Sequence, residues 1–269
     1  MYGYITFLTD FGQQDDFVGV CRGVMKGIAR DVEIIDITHG IAPQAVTQGA
    51  LLLARAVPYM PPGVHLAVVD PGVGGDRRAI AVRTDDERVY VGPDNGLLSL
   101  AADAGSVIAV RELTNPRYHL ERVSRTFHAR DVFAPVAAHL ANGVAFGELG
   151  DEIDPATLVR IELPEPSVGS ERLGATILAV DRFGNLQLNL TREHIASARL
   201  EPGRRVEILL AVDSYYAVIA ETFAAASRGD LILYEDSYGA YAIAISGGDA
   251  SKLTGAKPGD ELGIVPVLT

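Results

Sequence analysis

The chain alternates between short apolar runs and longer stretches whose apolar residues recur every three or four positions. Residues 4–8, 32–37, 65–70, 79–82, 88–91 and 107–110 are runs of strand length, bounded by Gly, Pro, Asp and Asn. Residues 17–29, 42–57, 97–104 and 133–143 carry the helical period instead. Pro58, Pro61, Pro62 and Gly63 stop the second of these helices. Strands alternating with helices predict an α/β domain whose mostly parallel sheet carries helices on its faces. The texture changes near residue 160. A Pro/Gly/Ser-rich segment at 163–170 predicts a linker, and short strands follow at 174–181, 185–190, 205–210, 214–219, 230–234 and 240–245. With no long helix among them, these predict a smaller all-β barrel or sandwich domain. The expected division is therefore 1–162, linker 163–170 and 171–269.

The apolar run at 65–70 ends in Asp70, and Pro71-Gly72-Val73-Gly74-Gly75 cannot continue it, because Pro lacks the ladder N–H and Gly favours turns. A carboxylate is thus delivered to the C-terminal lip of the sheet, where open α/β sheets bind ligands. Asp76, Arg77 and Arg78 follow before the next strand. The alternative is a corner whose Asp only caps the turn. Asp10 likewise falls just past the first apolar run, in Thr9-Asp10-Phe11-Gly12. His128 sits in Thr126-Phe127-His128-Ala129-Arg130-Asp131, where a lone histidine serves packing as readily as chemistry. In the second half, Asp181, Phe183 and Asn185 alternate at period two and share a face if extended, or form a β-turn around Gly184-Asn185. Phe223 and Ser237-Tyr238-Gly239 are equally open by themselves.

Composition narrows the chemistry. A net charge of −12 argues against nucleic acid, whose binding needs a basic face, and suits a cationic small molecule or plain solubility. One cysteine, Cys21, allows no intrachain disulfide and no Cys-rich zinc site, and its place in an apolar helical phase predicts an inert buried thiol. The histidines lack metal-ligand spacing, and the Gly72–Gly75 loop fits neither phosphate-binding fingerprint, so no metal and no nucleotide cofactor is expected. The chain opens directly into a strand and has no membrane-spanning run, which predicts a cytoplasmic protein.

Several motifs in fixed order then gain meaning together. They are T-D-F-G at Thr9, D-P-G-V-G at Asp70 with Arg77 seven residues on, G-P-D-N-G-L-L at Gly92, T-F-H-A-R-D at Thr126, and D-R-F-G-N at Asp181. Over essentially the whole chain this set resembles the S-adenosyl-L-methionine (SAM) hydroxide adenosyltransferases, relatives of the fluorinase and chlorinase enzymes. The resemblance implies an N-terminal α/β domain, a C-terminal β-barrel domain, and a homotrimer holding substrate at the subunit interface. It implies a reactive trio of Asp70, Arg77 and His128, with Asp10 on the ribose hydroxyls. It places Asp181 on the methionine amino group, Asn185 on adenine, Phe183 and Phe223 on the walls of the adenine slot, and Ser237 on methionine. Tyr238 stands where the fluorinase has Arg, Ala129 where the family often has Gly or Ser, and Gln44 where the fluorinase has an aromatic residue.

Physical chemistry separates hydrolysis from halogenation within that family. The fluorinase has Tyr in place of Asp70, and a carboxylate there would repel a halide by roughly 4 kcal/mol at an effective dielectric of 20. The halogenase insertion before the P-x-N-G-L-L segment is also absent. The expected reaction is hydrolysis of SAM to adenosine and L-methionine, without metal. Two alternatives stand beside it. A metal-dependent nucleoside hydrolase is suggested by Asp10 with Asp15-Asp16, but the spacing is one residue too long and Leu8 stands where an upstream Asp belongs. A non-catalytic SAM or adenosine binder would keep the pocket, yet has no need of the trio.

Overall fold

The structure is a computed structural model that describes residues 1–169 and 171–267. Ser170, the last residue of the expected linker, and Leu268 and Thr269 lie outside the described residues. The chain divides into two compact units, the first Met1–Ile161 and the second beginning at Glu162.

In chain order the first unit contains β1 (Tyr4–Thr9), α1 (Phe17–Ile28), β2 (Glu33–Thr38), α2 (Val46–Ala56), β3 (Val64–Val68), β4 (Ala79–Thr84), β5 (Val89–Pro93), α3 (Ser99–Asp103) and β6 (Val107–Glu112). A π-helical turn at Ala129–Phe133 then runs directly into α4 (Ala134–Ala141), and β7 (Glu152–Ile153) completes the sheet. The strand order is β2-β1-β3-β5-β4-β6-β7. Strands β2, β1, β3 and β5 are mutually parallel. β4 runs against both β5 and β6, and β7 against β6, so five of the seven strands point one way. The reversal at β4–β5 follows from its connection, which is too short for a parallel crossover.

Alternation along the central strands builds two cores. Ile5, Phe7, Leu66 and Val68 face α1 and α4, packing with Val18, Cys21, Met25 and Val136. Leu8, Ala67 and Val69 face the opposite side, where Leu53, Leu97 and Ala101 cover them. Cys21 is wholly buried, and burial pushes its thiol up to about 12, so it is the inert residue expected.

Part of the expected linker is a strand of the second unit, because β8 (Ser167–Val168) pairs with β9 (Leu173–Val180). β10 (Leu186–Thr191), α5 (Arg192–Ser197), β11 (Arg205–Leu210), β12 (Asp213–Ala220), β13 (Leu231–Glu235), β14 (Ala240–Ile245), α6 (Ala250–Thr254) and β15 (Glu261–Pro266) follow. The sheet order is β10-β14-β13-β12-β11-β15-β9-β8, and the extra pairing of β10 with β9 closes seven strands into a barrel. Strict alternation of buried residues, as in Leu173, Ala175 and Ile177, fills its interior.

Candidate active site

Asp10 and Asp70 leave the C-terminal ends of neighbouring parallel strands, since Thr9 pairs with Val68 across β1 and β3. Beyond Asp70 the chain turns through a backbone bond from the Val73 N–H to the Asp70 carbonyl at 3.3 Å and one from Gly75 to Gly72 at 3.0 Å. The loop returns Arg77 to Asp70. Its Nε donates to both carboxylate oxygens at 3.0 Å, and its second terminal nitrogen donates to Oδ2 at 2.6 Å. The Asp70 and Arg77 side chains are only 6% and 10% exposed, so this charge pair is shielded from bulk water. The guanidinium packs over the Phe133 ring at 5.2 Å.

His128 precedes the π-helical turn and completes the cluster, its Nδ1 lying 2.8 Å from the same Arg77 nitrogen that reaches Oδ2. A guanidinium only donates, so Nδ1 accepts and the neutral ring carries its proton on Nε2. Burial, then the Arg77 charge, hold the imidazole below its ordinary pKa, against smaller opposing effects of Asp70 and Asp131. Both causes favour the neutral form this hydrogen bond requires.

The glycines of the loop have a packing reason. Gly74 adopts φ +77°, and a Cβ there would meet the Arg125 carbonyl oxygen at 2.1 Å. Its bare backbone lets the Asp70–Arg77 loop lie against the segment that carries His128. That segment is anchored by Asp131, wholly buried, which accepts from Ser124 N–H at 2.7 Å and from Arg130 Nε at 2.6 Å. On the other flank, Asp10 Oδ2 accepts the Gln44 N–H at 2.8 Å, and Gln44 adopts φ +66°.

Of the two arrangements open to Asp181, Phe183 and Asn185, an extended face or a turn, the second unit adopts the turn. Gly184 takes φ +81°, and residues 181–185 form the β9–β10 turn. Asp181 Oδ1 accepts the N–H groups of Phe183 at 2.8 Å and Asn185 at 3.0 Å, while its Oδ2 accepts Asn185 Nδ2 at 2.8 Å. An Asx-type turn therefore wins over extension, burying Asn185 and leaving Phe183 66% exposed. Phe223 lies on the short 3₁₀ turn after β12, its ring centroid 4.8 Å from that of Tyr234. Ser237 and Tyr238 are exposed on the turn between β13 and β14. Burial, followed by the charges of Asp181 and Asp236, raises the Tyr234 hydroxyl to about 12. Tyr234 thus backs the Phe223 ring from β13.

A parallel-centred α/β unit with an Asp–Arg–His cluster at its strand ends, followed by a closed β-barrel, defines a two-domain enzyme architecture. Residues 5–150 match the SAM hydroxide adenosyltransferase N-terminal domain and residues 175–263 its C-terminal domain. A relative from Salinispora tropica named (R)-S-adenosyl-L-methionine hydrolase is 46% identical over 260 residues, covering 96% of this chain and 96% of the relative. One from Thermus thermophilus with the same name is 36% identical, covering 95% and 96%. A fluorinase from Actinopolyspora mzabensis is more distant, at 28% identity over 89% of each chain. The crystal structure of an uncharacterised conserved protein from Thermotoga maritima superposes with a TM-score of 0.91 at 36% identity, covering 97% of this chain and 99% of that one. The chain belongs to the SAM hydroxide adenosyltransferase family.

Proposed function

We propose that the protein hydrolyses S-adenosyl-L-methionine to adenosine and L-methionine by in-line attack of water on C5′ of the ribose. The observation that carries this reading is the shielded cluster in which one guanidinium joins a carboxylate to a neutral imidazole. Hydrolases that are 36–46% identical over nearly the full chain support it.

The water oxygen forms a bond to C5′, the C5′–S bond breaks, and neutral methionine departs with the electron pair. A sulfonium is already a good leaving group, so the enzyme has only to place the nucleophile and exclude bulk water. No metal or cofactor is needed in this scheme. Water itself is a weak nucleophile, with a pKa of about 15.7, and Arg77 stabilises the developing hydroxide. Asp70 takes the proton, because the His128 Nδ1 lone pair is committed to Arg77 and Nε2 already bears the ring proton. His128 holds the guanidinium in place and offers Nε2–H to the attacking oxygen. Asp10 grips the ribose diol, and Gln44 N–H fixes its carboxylate.

In the second unit, Asp181 receives the methionine amino group and Asn185 the adenine edge between Phe183 and Phe223. Ser237 and Tyr238 flank the methionine end. Incubation with SAM followed by chromatography should yield adenosine and methionine in equal amounts, undiminished by a chelator. Absence of adenosine above the blank from mildly acidic to alkaline pH would refute the reaction.

A further inference from the structure

The G-P-D-N-G-L-L segment plays no part in the scheme above, yet it touches both shoulders of the loop that carries Asp70 and Arg77. β5 lies between β3 and β4, so residues 69–78 must cross the end of β5, a span of roughly 10 Å at normal strand spacing. The two residues directly after β5 sit where that crossing passes. Asn95 Nδ2 donates to the Val69 carbonyl at 2.9 Å, one residue before Asp70. Its Oδ1 accepts the Leu97 N–H at 3.1 Å, which fixes the amide's orientation. Asp94, 6% exposed, grips the other side. Its Oδ2 accepts Arg78 Nε at 2.8 Å, its N–H donates to the Arg78 carbonyl at 2.9 Å, and its Oδ1 accepts Val159 N–H at 3.0 Å. Arg78 is held further by the Thr157 carbonyl at 2.7 Å. Adjacent residues of one turn thus fasten the residue before Asp70 and the residue after Arg77.

We infer that Asp94 and Asn95 are positioning residues that set the separation and aim of Asp70 and Arg77, a role that rests on the proposed hydrolysis. A guanidinium that must face a carboxylate, an imidazole and an attacking water tolerates little displacement, since a shift near 1 Å can lower a rate about 100-fold. The most selective probe is N95D, which keeps the oxygen that holds Leu97 and replaces the donor to Val69 with an acceptor. Turnover should fall about 10- to 100-fold with the KM for SAM within about threefold, because the substrate-binding groups are untouched. Hydrogen–deuterium exchange in 69–78 should speed up while the melting transition of the whole chain stays close to that of wild type. R78K, which keeps the charge and loses the fork, should reproduce the pattern and serves in its place if N95D does not fold. Unchanged turnover, or parallel losses in turnover, KM and melting temperature, would overturn the positioning role. If wild-type protein leaves SAM intact, the proposed reaction fails, and exchange in the loop then decides the clamp separately.

Discussion

At the residue scale, the decisive contact is Arg77 to His128, because it determines which atoms can carry protons. Acidification protonates Nδ1, and an imidazolium facing a guanidinium loses the hydrogen bond and gains repulsion. Since the imidazole pKa lies below 6.5, turnover should be flat through neutral pH and fall only as pH drops through that lowered value. In H128N, whose side-chain oxygen can accept from Arg77 without titrating in this range, the acid limb should move to lower pH in a rate profile. D70N removes the proposed proton acceptor and should cut turnover by about 10² to 10⁴ with the fold intact by circular dichroism. Motif order picked out Asp70, Arg77 and His128, and the structure gathers them into one cluster. The proton's location was not legible, because it depends on which ring nitrogen faces Arg77. Asp181, Phe183 and Asn185 leave two readings open by their spacing, an extended face or a turn, and Gly184 at positive φ with the short Asp181 side chain decides for the turn.

At the scale of elements, periodicity located most strands and helices within a few residues, and the departures have causes. α2 starts at Val46 rather than 42, since Gln44 takes a left-handed φ of +66° that a right-handed helix cannot include. The helix expected from 133 is entered four residues earlier through the π-helical turn, which no apolar period announces. β15 stands outside the apolar pattern because its Gly263 and Pro266 dilute the strand signal, although it pairs on both sides. The glycines of the Asp70 loop look like turn-formers, whereas Gly74 is needed for backbone approach. Gly74→Ala therefore brings both strain at φ +77° and a clash with Arg125, and should lower stability by at least about 1 kcal/mol in denaturant titration. Turnover should fall further than stability alone explains, because the clash pushes the loop away from His128.

At the scale of the whole molecule, two buried histidines make the chain acid-sensitive. His65, wholly buried against Thr6 Oγ1 at 2.8 Å, is held down to about 4 by burial and then by Arg88. His39, beside Thr9 Oγ1 at 2.8 Å, is held at about 4 by burial and then by Arg22. Both take up protons more readily unfolded, near 6.5, than folded. Their stabilising contribution is complete above 6.5 and is lost as pH falls toward 4. Urea midpoints should thus drop steadily across that window, and H65N should flatten the decline. No helix among the described residues is long and apolar enough to cross a membrane. The homotrimer implied by family resemblance predicts a light-scattering mass three times that of the chain.

The ring of β9 through β15 has a consequence for biosynthesis. β9, made first among its seven strands, pairs with β15, made last, across more than eighty intervening residues. Such a distant pairing is slow to find, and it has no partner to find until residues 261–266 have left the ribosome. Until then β9 and β11 each present an open edge that can recruit another nascent chain. A ribosome stalled just short of Glu261 should therefore display a complete α/β unit followed by a protease-sensitive, association-prone half-ring.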